Sequence, residues 1–524
     1  MIIEIPDNMN HLKIFALFLF ISTSLVWSCK NDPGLSGTAA YIPSTSTSVT
    51  GFDIQRIMKK ADFESIKDME FFSEMTAKAG SKSPLIAAAM KDPSKSGVDL
   101  NGKLYIATDL DKNDPENITT HFILPLSNVS DFDKLAKAAD IDFEPQNGLK
   151  VFVTKGNGDA VMVWNDEILT ITVSNNKNID VVTKARMLFE MNGEQTLASN
   201  RNFTKAINQE HDMVTWLSTN TLAENSAAGL AMSMIDVDSD ALKDNFIHGY
   251  GDFEDGKIVG HADFYMNKAL GKDFLGRFFK DESDADFRKV LPAGDLAFAV
   301  TGALNFRGMD QFLSERPQTK EYADFVLNDF AGFERKQLLE TLNGDVMIAA
   351  YSADGVQDGN FLAALALKDN TKAKAMLDKG VAEKKLKQVE PGIYEVLQIG
   401  GEDFSIRINK GMGKFLHFEN MLVYSPKEDL LQKINKGELQ LGGQKIEQAL
   451  QHFDKQTMAA WFDFQSVEKQ IGDLPTAYFK DMRFNINSDG ADFIIETIDP
   501  DKNSLKIIFE LMEQAYLKEN REVM

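Results

Sequence analysis

Leu100–Leu110 reads LNGKLYIATDL and Leu342–Ser352 reads LNGDVMIAAYS. A turn signal running into apolar, aromatic and β-branched residues marks the start of a strand. Meeting the same tripeptide ahead of two such strands points to a duplicated unit. The returning strands, THFILPLS and NFLAALALK, turn each stretch into a hairpin, and each hairpin feeds a helix with a polar start. Asn128 and Ser130 precede FDKLAKAA, and Asp369 and Thr371 precede AKAMLDKG; short polar side chains there cap free helix N–H groups.

The parallel continues in both directions. Upstream, Val49-Thr50-Gly51 opens a strand-to-helix passage ending near Met58, and Val300-Thr301-Gly302 does the same up to Met309. Helices are predicted over Asp68–Gly80 and Pro84–Met90, then over Glu321–Phe330 and Arg335–Leu342. Downstream, the strands GLKVFVT, AVMVW and ILTITV are matched by GIYEVLQI, DFSIRI and FLHFENMLVY, with helices following at Ile179–Phe189 and Lys427–Lys436. Met213-Val-Thr-Trp216 recurs as Met458-Ala-Ala-Trp461, which reads as a shared core position, since tryptophan is highly buried on average. Each copy closes with a hairpin at Asp255-Gly256 or Asp489-Gly490 and then a helix. Paired landmarks lie roughly 235–250 residues apart, a long fixed period.

Period-two alternation, as at Met482, Phe484 and Ile486, argues for antiparallel strands with one covered face. Helices fall between hairpins and not after every strand, which argues against a doubly wound sheet. The predicted fold is therefore α+β, with two tandem related repeats at residues 48–277 and 290–524. Each is expected to be an antiparallel sheet covered by helices on one face. The charged run Phe278–Lys289 is the expected linker.

The N-terminus carries a different signal. Phe15–Asp32 reads FALFLFISTSLVWSCKND, and Cys29 is the single cysteine of 524 residues. The apolar run from Ile14 to Trp27 is short for a membrane span and suits a secretory leader. Counted from Met1 the leader begins with Glu4 and Asp7; counted from Met9 its charge is Lys13, as a secretory leader requires. Residues 1–28 are thus expected to be a lipoprotein signal peptide, Cys29 the lipidation site, and residues 29–47, rich in Gly, Ser, Thr and Pro, a flexible tether. The protein would meet a membrane through its N-terminal lipid, in the cell envelope at the outer membrane, facing the periplasm or the outside.

A formal net charge of −23 repels nucleic acid, so no nucleic-acid partner is expected. With 43% hydrophobic residues the chain can bury large cores, and a lone cysteine leaves their stability to packing alone.

Two constellations carry candidate chemistry. Pairing around Asp255-Gly256 sets His248 across from Asp263 and diagonal to His261, on a face shared with Tyr250, Asp252 and Glu254. Two imidazoles and a carboxylate are zinc-type ligands; the alternative is an ordinary solvated polar face. Asp499, Asp501, Asn503 and Glu510 fit the skeleton of a calcium loop, although Ser504 stands where its glycine belongs, and the same residues serve equally as a helix cap. The sequence lacks H-E-x-x-H, G-x-S-x-G, Walker and C-x-x-C motifs, and no cofactor is expected.

Tyr41-Ile-Pro43, Val49–Met58, Phe122–Ala139 and Gly148–Ser174, in that order behind the Cys29 leader, resemble the Bacteroidota lipoproteins grouped as domain of unknown function 4836. The resemblance implies an exported, lipid-anchored envelope protein and supplies no catalytic residues. Lys30 and Asp32 after the cysteine also resemble a surface-export tag of that phylum. The leading expectation is a non-catalytic binding or structural module for a protein or glycan partner. The alternatives are a hydrolase using carboxylates or the His248–His261–Asp263 face, and an envelope assembly factor.

Overall fold

The computed structural model describes residues 37–82, 84–111, 114, 117–154, 160–176, 178–224, 238–315, 320–321, 335–351, 361–399, 406–407, 413–471 and 478–523. The expected leader and Cys29 lie outside the described residues, as does most of the helix expected at Glu321–Phe330. The chain forms two units: one takes the chain up to Met266 and again from Asp499, the other takes Asn267–Ile498.

The first unit is built on strands β1 (Ser48–Asp53), β2 (Lys103–Leu110), β3 (Ile118–Pro125), β4 (Glu144–Gln146), β5 (Leu149–Val153), β6 (Ala160–Trp164), β7 (Ile168–Ser174), β8 (Met213–Ser218), β9 (Phe246–Glu254) and β10 (Lys257–Tyr265). All pair antiparallel, in the order β4-β5-β6-β7-β3-β2-β1-β8-β9-β10. β1 comes first in the chain yet sits inside the sheet, bonded to β2 on one side and β8 on the other.

The second unit carries β11 (Leu296–Ala303), β12 (Leu342–Tyr351), β13 (Phe361–Leu367), β14 (Leu386–Glu390), β15 (Ile393–Val396), β16 (Gln398–Ile399), β17 (Ile406–Arg407), β18 (Lys414–Phe418), β19 (Met421–Tyr424), β20 (Met458–Asp463), β21 (Phe479–Ile486) and β22 (Gly490–Thr497). Its sheet runs β14-β15-β18-β19-β13-β12-β11-β20-β21-β22, again antiparallel, and β16 and β17 pair with each other.

Local sequence explains the helices. In Ile54–Ala61, Ile54, Ile57, Met58 and Ala61 are buried at helical spacing, and the Asp53 side chain accepts from Arg56 N at 2.9 Å. Asp62 ends it in the left-handed conformation at φ 54°. Asn128 and Asp369 cap their helices as the sequence predicts, accepting from Asp131 N and Lys372 N.

Both faces of the first sheet are covered, where one was expected. Phe52, Leu104, Ile106, Phe122 and Leu124 enter a core with the Ile54–Ala61, Glu70–Lys82, Pro84–Lys91 and Val129–Ala138 helices. The alternate residues Val49, Tyr105, Ala107, Ile123 and Trp216 enter another core with Phe203 and Ile207 of the Arg201–Ile207 helix. The second sheet behaves likewise, with Ile393, Leu416 and Trp461 in one core and Tyr394 packed with Met376 and Leu377 on the other side. Near-continuous apolar runs such as Leu104–Ala107 are the mark of strands buried on both faces.

Three further expectations change. From Thr38 the stretch expected as a tether is folded: Ile42 is wholly buried and shares a core with Trp216. Its apolar Tyr41-Ile42 pair outweighs the small polar residues around it. Phe287, in the run expected as a linker, is a core residue of the second unit.

The closing Ser504–Val523 helix, expected in the second repeat, belongs to the first unit. Leu505 and Phe509 bury in its core, and the Glu513 carboxylate accepts from Glu70 N and Phe71 N at 3.0 and 2.9 Å. It thereby caps a helix more than 440 residues earlier in the chain. Gly256, at φ +73°, lets the first hairpin approach this segment: a Cβ there would stand 2.7 Å from Pro500 Cα.

Burying an aromatic side chain is worth about 3–5 kcal/mol when it is cut to alanine. Phe509→Ala is therefore expected to destabilise the first unit by about that amount, read as a lower urea midpoint. An unchanged midpoint would refute the docking of the helix.

Candidate functional site

The predicted hairpin register at Asp255-Gly256 is the observed one, with Asp263 opposite His248 and Ile258 opposite Phe253. β8 extends it on the other side, Trp216 opposite His248. Because directly paired residues share a face, β8, β9 and β10 form rows. Ser218, Phe246 and Tyr265 make one; Trp216, His248 and Asp263 the next; Val214, Tyr250 and His261 the third.

Burial falls across these rows. Trp216 and His248 are 2% and 4% exposed, whereas the His261 and Asp263 side chains are 30% and 41% exposed. The expected solvated face is thus buried at His248, where Trp216 of β8 and Phe246 of β9 stack beside it, and part-exposed at His261 and Asp263 of β10. His248 Nδ1 lies 3.6 Å from Asp263 Oδ2, and His261 Nε2 lies 3.1 Å from Asp263 Oδ1. The carboxylate stands between the two imidazoles, one oxygen toward each, and the three do not surround a common centre. Among the described residues no group of three His, Cys, Asp or Glu side chains is placed to hold a metal ion, so zinc at His248, His261 and Asp263 finds no support.

Burial pushes the His248 imidazole below its ordinary value, against the upward pull of Asp263. That shift favours the neutral imidazole, whose Nε2 is buried without a hydrogen-bond partner among the described residues.

The calcium skeleton is likewise committed elsewhere. Asp499 accepts from Asp501 N, Asn503 donates to Phe253 O at 2.9 Å and accepts from Leu505 N, and Glu510 pairs with Lys502. These are turn, cap and docking contacts, and they position the closing helix.

Sequence reading missed the densest charge cluster. Asp212 is fully buried, with Arg56 Nε at 3.0 Å, Lys60 Nζ at 2.6 Å and Phe253 N at 2.7 Å. Asp252 accepts from Asp212 N at 3.0 Å, faces His211 Nδ1 at 2.5 Å, and so joins the cluster to the rows. Burial raises the Asp252 carboxyl, but the His211 and Asp212 N–H contacts outweigh it and hold it below the usual range. The available signal was Arg56 and Lys60 one helical turn apart on a helix leading out of β1. A second buried chain links Ser46, Asp109, His121 and Thr172: Asp109 accepts from Ser46 at 2.7 Å, and His121 Nδ1 meets Thr172 Oγ1 at 2.9 Å. Both tie strands to neighbouring elements.

In the second unit Arg483 takes the place of His248, opposite Trp461, and pairs with Asp481 at 2.9 Å and with Glu496. A cleft of about 550 Å³ lies between the Phe306–Ser314 and Arg335–Thr341 helices, where Arg335 binds Asp310 and Ser314.

The described residues thus define an α+β protein of antiparallel sheets buried on both faces, with histidines and carboxylates bound to one another. The chain belongs to the family of proteins described as a domain of unknown function, DUF4836, which it matches over residues 39–475. Comparison with curated proteins finds no match. Among solved structures, crystal forms III and I of TP0453 are similar at 8% and 10% identity, with TM-scores of 0.25 and 0.26. Each covers 49% of this chain, and 92% and 91% of the TP0453 chains. Among the described residues no helix is long and apolar enough to cross a membrane.

A histidine held neutral in the fold gives stability that is lost as pH falls below its unfolded value of about 6.5, because the unfolded chain then binds the extra proton. His248, His417 and His452 are all shifted down by burial. The melting temperature is expected to fall between pH 7.5 and pH 5.5, and His248→Gln to flatten part of that fall. An identical pH profile in the variant would contradict the burial of a neutral His248.

Proposed function

We propose that the chain is a lipid-anchored cell-envelope protein, a non-catalytic binding or structural module for a protein or glycan partner, built from a tandemly duplicated α+β unit. The duplication is supported by strand order. Each unit runs central strand, hairpin, further antiparallel strands, a strand returning beside the central one and closing hairpin in the same sequence, with Trp216 and Trp461 facing Val49 and Ala299. The anchor is supported by the Ile14–Cys29 leader, and by a single cysteine placed where a lipid would be attached.

The observation that carries the binding role is the outer row of β10. His261, Asp263 and Tyr265 stand at two-residue spacing on one face, each part-exposed, while the histidine and tryptophan behind them are buried. A rigid, partly open strip mixing an aromatic ring with hydrogen-bonding groups has the composition of a recognition surface. The fully buried Asp212 binds neighbouring cations and a backbone N–H group, which favours a structural over a catalytic role for it.

Cys29→Ala is expected to move the protein from the membrane pellet to the soluble fraction, and protease added to intact cells then reports which side of the membrane the anchored form faces. Retention of the variant in the pellet would refute the lipid anchor.

A further inference from the structure

The aromatic side chains behind β10 form an ordered stack. Phe203 meets Trp216 edge-on, with ring centroids 5.7 Å apart. From Trp216 outward the rings turn parallel: Trp216 to Phe246 is 4.3 Å at 21°, and Phe246 to Tyr265 is 4.4 Å at 18°. Exposure grows along the stack, from 2% at Trp216 to 46% at Tyr265. One face of the Tyr265 ring is held by Phe246, and among the described residues no further ring stacks on its other face, the residue being 46% exposed. A ring fixed from behind loses little freedom when something covers its front.

Beside that ring, two residues along the same strand, stands Asp263, about 7 Å away at strand spacing. Its oxygens face one imidazole each, at 3.1 Å from His261 and 3.6 Å from His248. A carboxylate has about four lone-pair sites, so those contacts leave it able to accept from further hydroxyl donors. The His261 contact at 3.1 Å orients one carboxylate oxygen, and 41% of the Asp263 side chain is open to solvent.

We infer that Tyr265 and Asp263 form a saccharide-binding strip, in which a sugar ring continues the stack over Tyr265 and its hydroxyls donate to Asp263. The combination selects this class. A flat, polarisable ring face receives the C–H face of a sugar, and a fixed acceptor beside it receives O–H groups. A formal charge of −23 disfavours phosphate-bearing or otherwise anionic ligands, so the expected ligand is a neutral or amino saccharide. This deepens the binding-module reading and rests on it.

The test is an array of neutral and amino oligosaccharides probed with detergent-solubilised full-length protein, followed by calorimetric titration of the sugars retained. At least one should bind; Tyr265→Ala should weaken it tenfold or more, Asp263→Asn several-fold, and Tyr265→Trp should keep it. Since Tyr265 is half-exposed, Tyr265→Ala should melt within a few degrees of the parent, which separates lost binding from lost folding. Retention of no sugar, or equal affinity in Tyr265→Ala, would overturn the strip. If the array is blank while a purified envelope protein binds with defined stoichiometry, the saccharide assignment falls and the module reading stands. Release of reducing ends from a bound sugar would overturn the non-catalytic reading and leave the strip in place.

Discussion

The pairing of β1 with β8 is the constraint from which the first unit follows. It joins segments about 165 residues apart and sets Val49 against Trp216. That register turns Trp216 inward, and β9, pairing with β8, then turns His248 and Phe246 to the same side. A slip of one residue would send every one of these side chains to the opposite face. Gly51 belongs to the same constraint: a Cβ there would stand 2.7 Å from the Tyr105 ring, so the central strand stays bare where that ring crosses it. In the second unit Thr301 holds the position, opposite the more pliable Met347.

Charge completes what packing begins. The fully buried Asp212 ties the helix leaving β1 to the strand beyond it through Arg56, Lys60 and the Phe253 N–H. A buried carboxylate needs this number of partners, because removing one leaves an uncompensated charge in a poorly hydrated site. Asp263 differs, being part-exposed where Asp212 is buried. Placed between two imidazoles, it is oriented without being consumed, and it is the one member of the row with two-fifths of its side chain in solvent.

Much of the fold was legible. The hairpin register at Asp255-Gly256, the caps at Asn128 and Asp369, and the shared burial of Trp216 and Trp461 follow from local turn and capping chemistry and from tryptophan's size. Other parts were illegible for stated reasons. The VTG tripeptides suggest that Val49 and Val300 are equivalent, yet Trp461 pairs with Ala299, so the matching letters fall one residue out of register. Tripeptide identity does not encode pairing. The side to which the Ser504–Val523 helix would dock was hidden too, because Leu505 and Phe509 read as apolar without naming the surface that receives them. Of the site, the sequence revealed His248, His261 and Asp263 together. It did not reveal that His248 is buried or that Tyr265 ends a stack, since the first depends on Trp216 arriving from β8 and the second on Phe246 arriving from β9.

The central claim is that these rows set a buried, neutral His248 between Trp216 and Asp263. The most direct measurement is the titration of the His248 imidazole by NMR in the parent protein and in Asp263→Asn. The account predicts a midpoint below about 6.5, moved lower still in the variant because Asp263 is the group that pulls it upward. A midpoint at or above that value, or one indifferent to the loss of the Asp263 charge, would contradict it.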